Sequence, residues 1–315
     1  MNIDLKSYAK INLTLDVKGV NEDGMHLVEM VMQQILLCDE VAIKWEPQAE
    51  LTEGNDGLEI NLKTNRKYLP TDERNLAYQA ALLMKERYGG KDLYGRLDIN
   101  IRKRIPVAAG LAGGSGNGAA VIHGLNILWG LDLSLRELCA AGAALGSDVP
   151  FCIMGQAAEN KELKDRFTAD PLASHCALAT GTGTTLEPIK GLKSHLVLSK
   201  PAISVSTAKA YQGIDHIEIT ERPNTQEMIE GLKTRSMALI EKNMINVLEN
   251  YTLMEYPTVV YTKNKMKQLC GDRAVLMSGS GPTVYGLTGS IKEARSICDE
   301  MKKINRESFW TRTTY

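Results

Sequence analysis

The chain has 315 residues, with 37 Lys+Arg against 38 Asp+Glu, a net charge of −1, and 43% hydrophobic residues. That size fits one large or two ordinary domains, and that composition can bury a core, which excludes wholesale disorder. Balanced charge excludes a globally basic nucleic-acid binder, and no run approaches the roughly 18 apolar residues of a membrane span.

Along the chain, Ser7 to Val17 alternates Ile11, Leu13, Leu15 and Val17 and reads as a strand, followed by a turn at Asn21–Gly24. Val28–Leu37 is apolar and partly β-branched, and Val41–Trp45 and Leu58–Leu62 are short strand candidates. Asn75–Tyr88 carries Leu76, Ala80, Leu83 and Met84 at helical spacing and closes at Gly89-Gly90. Arg96–Ile101 alternates again. A glycine-dense turn over Pro106–Gly118 then opens onto a helical apolar run from Ala119 to Leu128. Ser134 with Glu137 has capping-box spacing for the next helix, which stops near Leu145-Gly146. Asp148 follows that helix and precedes an apolar stretch read as a strand. Glu159–Asp170 is charged and reads as a surface helix or loop. Strands at Leu196–Leu198, Ala274–Met277 and Val284–Leu287 and helices at Thr225–Leu232, Arg235–Asn243 and Ile291–Ile304 complete the chain. Elements mix without a regular βαβ period, which favours an α+β fold over a doubly wound sheet.

The opening Met1–Lys6 lacks a long apolar run, so no secretory signal is expected. The six cysteines form no C-x-x-C pair and sit in or beside apolar sequence, as buried thiols of a reducing cytoplasm do. The five histidines are scattered, so no metal site is predicted from them.

Four features carry chemistry. Gly110 to Gly118 places five glycines in nine residues between a strand and a helix. Glycine permits close backbone approach and positive φ, and N–H groups at a helix start attract phosphates. Ser115 and Asn117 add polar side chains. No Gly-Lys-Ser/Thr follows, so this is not a Walker loop, nor is it a dinucleotide G-x-G-x-x-G turn. A structural tight turn needs only one or two glycines. Asp148, in Gly146–Phe151, can accept a proton or hold a metal, although an Asp in a turn is ordinarily a cap. Lys10 lies on the first predicted strand, as a solvated charge or as a cation of a site. Ser278-Gly279-Ser280-Gly281-Pro282-Thr283 is a second glycine turn, a hairpin turn or a ligand loop. Together they supply what phosphoryl transfer requires: cradled phosphates, neutralised charge and an oriented hydroxyl.

On these residues the chain resembles the GHMP small-molecule kinases. The carrying motifs are Ala9-Lys10-Ile11-Asn12-Leu13 with Asp23-Gly24-Met25-His26, then Arg104 through Gly118, Asp148-Val149-Pro150-Phe151 and Ser278–Thr283, in family order over nearly the whole chain. Within the family it is most similar to the branch that phosphorylates the 2-hydroxyl of a cytidine diphosphate-linked methylerythritol in non-mevalonate isoprenoid synthesis. The resemblance implies two domains, with the site between them. Residues 1–155 would resemble ribosomal protein S5 domain 2, and residues 156–315 would be ferredoxin-like. It implies ATP with Mg²⁺, bound by Pro106, Gly110, Leu111, Ala112, Gly113, Gly114, Ser115, Gly116 and Asn117. It implies Asp148 and Lys10 as the catalytic pair. Asn12, Met25, His26, Asp148, Thr207 and Tyr211 would bind substrate, with His26 hydrogen-bonding the cytosine and Tyr211 stacking on it. The implied partner is a small molecule rather than nucleic acid or membrane, for a cytoplasmic monomer or homodimer. Another small alcohol as acceptor, or a nucleotide-binding homologue without catalysis, are the alternatives.

Three departures from the family pattern stand out. Met25 replaces a usual Tyr, and Gly116 and Gly118 replace a usual Ser and Ala. A charged insert near 156–176 lengthens the connection by roughly 20 residues beyond a typical short one.

Overall fold

The structure, a computed structural model, describes residues 1–48, 57–90 and 93–315. Two long strands open the chain, β1 (Asn2–Val20) and β2 (His26–Pro47), and they pair with each other. Val28–Leu37 and Val41–Trp45, read as separate apolar runs, are thus one strand. Two compact units emerge, and neither is continuous in sequence. The first comprises 1–9, 38–105 and 112–174; the second comprises 10–37, 106–111 and 175–315.

In the first unit, β3 (Leu58–Thr64) runs parallel to β4 (Gly95–Arg102), which pairs antiparallel with the second half of β2. The register sets Val41 opposite Ile101, Ile43 opposite Ile99 and Trp45 opposite Leu97. Period-2 alternation puts all six on one buried face. That face packs against α1 (Leu76–Tyr88), capped by Asn75, and α2 (Gly113–Leu128). α2 begins within the glycine turn, six residues before the apolar run that predicts it: the Gly116 N–H already bonds the Ala112 carbonyl. The capping box of Ser134 and Glu137 starts α3 (Leu135–Ala143) as expected.

The apolar stretch after Asp148 is not a strand. It forms α4 (Val149–Glu159), followed by α5 (Lys161–Phe167). Pro150 sits in the first turn, where no N–H is required, and Val149 to Ala157 is buried on every side, which removes the periodicity that would have marked a helix. Within the charged 156–176 segment, Leu163 and Phe167 are core residues of this unit, and the Phe167 ring packs edge-on against His123 at 5.7 Å.

In the second unit, the first half of β2 pairs antiparallel with β5 (Cys176–Thr180), which turns back into β6 (Thr185–Pro188). β7 (His195–Lys200) leads to α6 (Thr207–Ile214), α7 (Thr225–Thr234), α8 (Met237–Asn243), α9 (Glu249–Glu255) and α10 (Pro257–Cys270). β8 (Val275–Met277), β9 (Val284–Thr288), α11 (Ile291–Lys302) and β10 (Glu307–Arg312) follow. The antiparallel sheet has the order β10-β7-β9-β8, the ferredoxin-like order expected for the C-terminal part. Among the described residues no helix is long and apolar enough to cross a membrane.

Candidate functional site

In the second unit, Lys10 is not a solvated charge. Its side chain is 4% exposed, and its Nζ donates to Asn12 Oδ1 at 2.8 Å. The same oxygen accepts the Gly279 N–H at 3.1 Å, and Asn12 Nδ2 faces Met30 Sδ at 3.2 Å. One buried amide therefore joins the β1 lysine to the second glycine loop. A Cβ on Gly279 would stand 3.6 Å from Lys10 Nζ.

The two glycine loops also meet within this unit. Ser278 Oγ donates to the Gly110 carbonyl at 2.8 Å, and a Cβ on Gly110 would fall 2.1 Å from the Ser278 carbonyl oxygen. Gly110 has φ +71°, and Ala108 and Ala112 have φ of 49° and 55°. Alanine seldom adopts left-handed backbone, so the loop stores strain, a property that clusters at ligand sites. Residues that sequence reading missed hold the 278–283 loop from behind. Asn246 Nδ2 donates to the carbonyls of Met277 and Gly279, Glu249 accepts the Met277 N–H, and Thr252 Oγ1 donates to the Ser280 carbonyl. Their signal in sequence is nil: no local pattern marks a single Asn, Glu or Thr as the anchor of a distant loop.

In the same unit, His26 Nε2 lies 2.9 Å from Asp215 Oδ1, and its ring centroid is 5.0 Å from that of Tyr211. Asp215 is the C-cap of α6, the helix that carries Thr207 and Tyr211. Thr207 Oγ1 is 3.0 Å from Ser280 Oγ, linking α6 to the second glycine loop. Met25 closes a turn capped by Asn21 and is 52% exposed.

The first unit holds residues 112–118 and Asp148. α2 starts with no side-chain cap and no acidic residue in its first turn. Such a helix start presents unpaired N–H donors and the positive end of the dipole, an anion site. Gly114 is exposed there, and Ser115 is half-buried. Asn117 differs from expectation, because its side chain points inward. It donates to Ser7 Oγ and Asp39 Oδ2 and accepts from Lys103 Nζ. Gly116 has a reason of its own: a Cβ would fall 2.5 Å from Ser7 Oγ and 3.3 Å from the Tyr8 carbonyl oxygen. A β1 side chain occupies the place that a serine at 116 would take. Asp148 is half-buried at the start of α4, and its carboxylate does not cap that helix. A cavity of about 590 Å³ in this unit, lined by Asp4, Lys6, Tyr8, Arg102 and Glu159 among others, contains none of the expected site residues.

A model of the GHMP kinases N terminal domain matches residues 75–156, and one of the GHMP kinases C terminal domain matches 228–306. A 4-diphosphocytidyl-2-C-methyl-D-erythritol kinase of Alkaliphilus oremlandii is 41% identical over 313 residues, 99% of this chain and 96% of the relative. The chain belongs to the GHMP kinases. It is an ATP-dependent small-molecule kinase with the two-domain fold of that family. A kinase of the same name from Bacillus licheniformis is 46% identical over 289 residues, covering 91% of this chain and 88% of the relative. The crystal structure of a 4-(cytidine 5'-diphospho)-2C-methyl-D-erythritol kinase superposes with a TM-score of 0.75 at 27% identity, covering 99% of this chain and all of that one. Homoserine kinase from Cytophaga hutchinsonii, at 18% identity and a TM-score of 0.67 over 99% of this chain and 94% of that one, shares the fold.

Proposed function

We propose that this kinase transfers the γ-phosphoryl group of ATP to the 2-hydroxyl of 4-diphosphocytidyl-2-C-methyl-D-erythritol. The observation that carries the phosphoryl-transfer reading is the uncapped, glycine-lined start of α2 after a strained loop, a site for anions. The names of near-full-length relatives support the acceptor. In the reaction the bond from the γ-phosphorus to the bridging oxygen breaks, a bond to the acceptor hydroxyl forms, and the hydroxyl proton passes to Asp148. Lys10, held by Asn12, supplies positive charge for the transferring group. The N–H groups of Gly113 to Ser115 take phosphate oxygens. His26 and Tyr211 form the pyrimidine end.

Among the described residues no cluster of three or more His, Cys, Asp or Glu is placed to hold a metal. The Ser115 hydroxyl, half-buried at the start of α2, is the oxygen donor that would stand beside a magnesium ion carried on the phosphates. The ion would supply charge neutralisation.

Release of ADP in the presence of the cytidine diphosphate substrate tests the reading. Asp148→Asn is expected to lower turnover by about 10²- to 10⁴-fold with ATP binding retained. Near-normal turnover of that variant removes Asp148 as the base. Activity on another alcohol without any on the cytidine substrate would reassign the acceptor.

A further inference from the structure

Beneath the start of α2 in the first unit lies a closed polar cluster that the proposed chemistry does not use. Asp39, on β2, is fully buried. Its Oδ1 accepts the N–H groups of Arg104 and Ile105 at 2.6 and 2.8 Å, where the chain leaves β4. Its Oδ2 accepts Asn117 Nδ2 at 2.9 Å from the first turns of α2, and is ion-paired with Lys103 Nζ. Lys103, 5% exposed, also donates to Asn117 Oδ1 at 3.0 Å and to the Gly113 carbonyl at 3.3 Å. The chain just before Pro106, at Arg104 and Ile105, and the start of α2, at Gly113 and Asn117, are thus fastened to one carboxylate and its lysine. A Cβ on Gly113 would lie 3.1 Å from Lys103 Nζ, so the cluster sits directly below the first turn of α2.

Such an arrangement is a poor way to gain stability. Desolvating a lysine and a carboxylate offsets much of their attraction, and an apolar pair of equal volume would serve as well. Burial pushes the Lys103 ammonium down from its ordinary value, and Asp39 acts against that shift. What charge and hydrogen bonds add is geometry, because each partner fixes a particular backbone group.

The geometry points to Asp39, Lys103 and Asn117 as positioning residues that set the spacing of the phosphate-binding N–H groups. They act on the nucleotide side of the reaction and leave the acceptor side alone. This rests on the reading that ATP phosphates sit on Gly113 to Ser115.

The test compares Asp39→Asn, Asn117→Ala and the double variant Asp39→Asn/Lys103→Met. Binding of ATP is followed by calorimetry, KM is measured separately for ATP and for the cytidine diphosphate substrate, and thermal midpoints are recorded. Asn117→Ala leaves the ion pair in place and guards against an Asp39→Asn protein that fails to fold. The expected result is an ATP Kd and KM raised by about 10- to 100-fold with the acceptor KM within about twofold. The double variant, which has no unpaired buried charge, recovers its melting midpoint but keeps the raised ATP KM. If the double variant recovers both, or if ATP and acceptor constants move together, the cluster is a stability element and the inference falls. It falls too if ATP binding is unchanged in Asn117→Ala. A wild-type protein that neither binds ATP nor releases ADP with any alcohol overturns the functional reading instead.

Discussion

Gly110→Ala is the sharpest structural perturbation available in the phosphate loop. The new methyl carbon would lie 2.1 Å from the Ser278 carbonyl oxygen and 3.1 Å from that of Gly281, both backbone atoms that cannot rotate away. The backbone at φ +71° is also left-handed, which costs an alanine roughly 1–2 kcal/mol. Forcing the two loops apart adds about 1–3 kcal/mol of overpacking. The sum, roughly 2–5 kcal/mol, corresponds to a fall of about 3–8 °C in the melting midpoint of a chain of 315 residues. The Ser278 Oγ bond to the Gly110 carbonyl would be lost with the displacement. Thermal and urea denaturation followed by circular dichroism measure the effect. A loss smaller than about 0.5 kcal/mol, the range of a neutral surface change, would refute the claim that the loops are in backbone contact and that Gly110 is glycine for that reason.

Gly114→Ala separates stability from function. Its Cβ has only ordinary contact with Leu76 Cδ1 at 3.5 Å, so the helix should gain about 0.5–1 kcal/mol. The KM for ATP should nevertheless rise, because the methyl stands where phosphate approaches the backbone; an unchanged KM would move the phosphates elsewhere. Asp215→Ala frees the His26 ring from its partner and should raise the KM for the cytidine substrate while leaving that for ATP alone. Equal changes in both would deny Asp215 a part in the pyrimidine end. Burial pushes fully buried His123 down to about 4. An unfolded histidine takes up its proton near 6.5, so this group's contribution is complete above that pH and fades as pH falls toward 4, by about 3 kcal/mol at most. His123→Gln, which keeps a donor for the Ile153 carbonyl, should flatten the melting midpoint between pH 6.5 and 4; parallel curves would refute the assignment.

Sequence by itself determined the α+β class, the family and the residues of the loops, because each rests on local information. The alternation of β4 can be read within a few residues, and so can the capping box of Ser134 and Glu137 and the five glycines from 110 to 118. Helix α4 escaped for a local reason as well: buried on every side, it shows no amphipathic period. Tertiary structure decided what those residues touch. Lys10 reads the same in sequence whether it faces water or Asn12, and only the approach of β1 to the second glycine loop selects the latter. Gly116 reads as a lost hydroxyl until Ser7, 109 positions earlier, is found in its space. Asn117 reads as a phosphate ligand until Asp39 and Lys103 claim its amide. In each case the deciding segment is remote in sequence, and contact with it is a property of packing that no local pattern encodes.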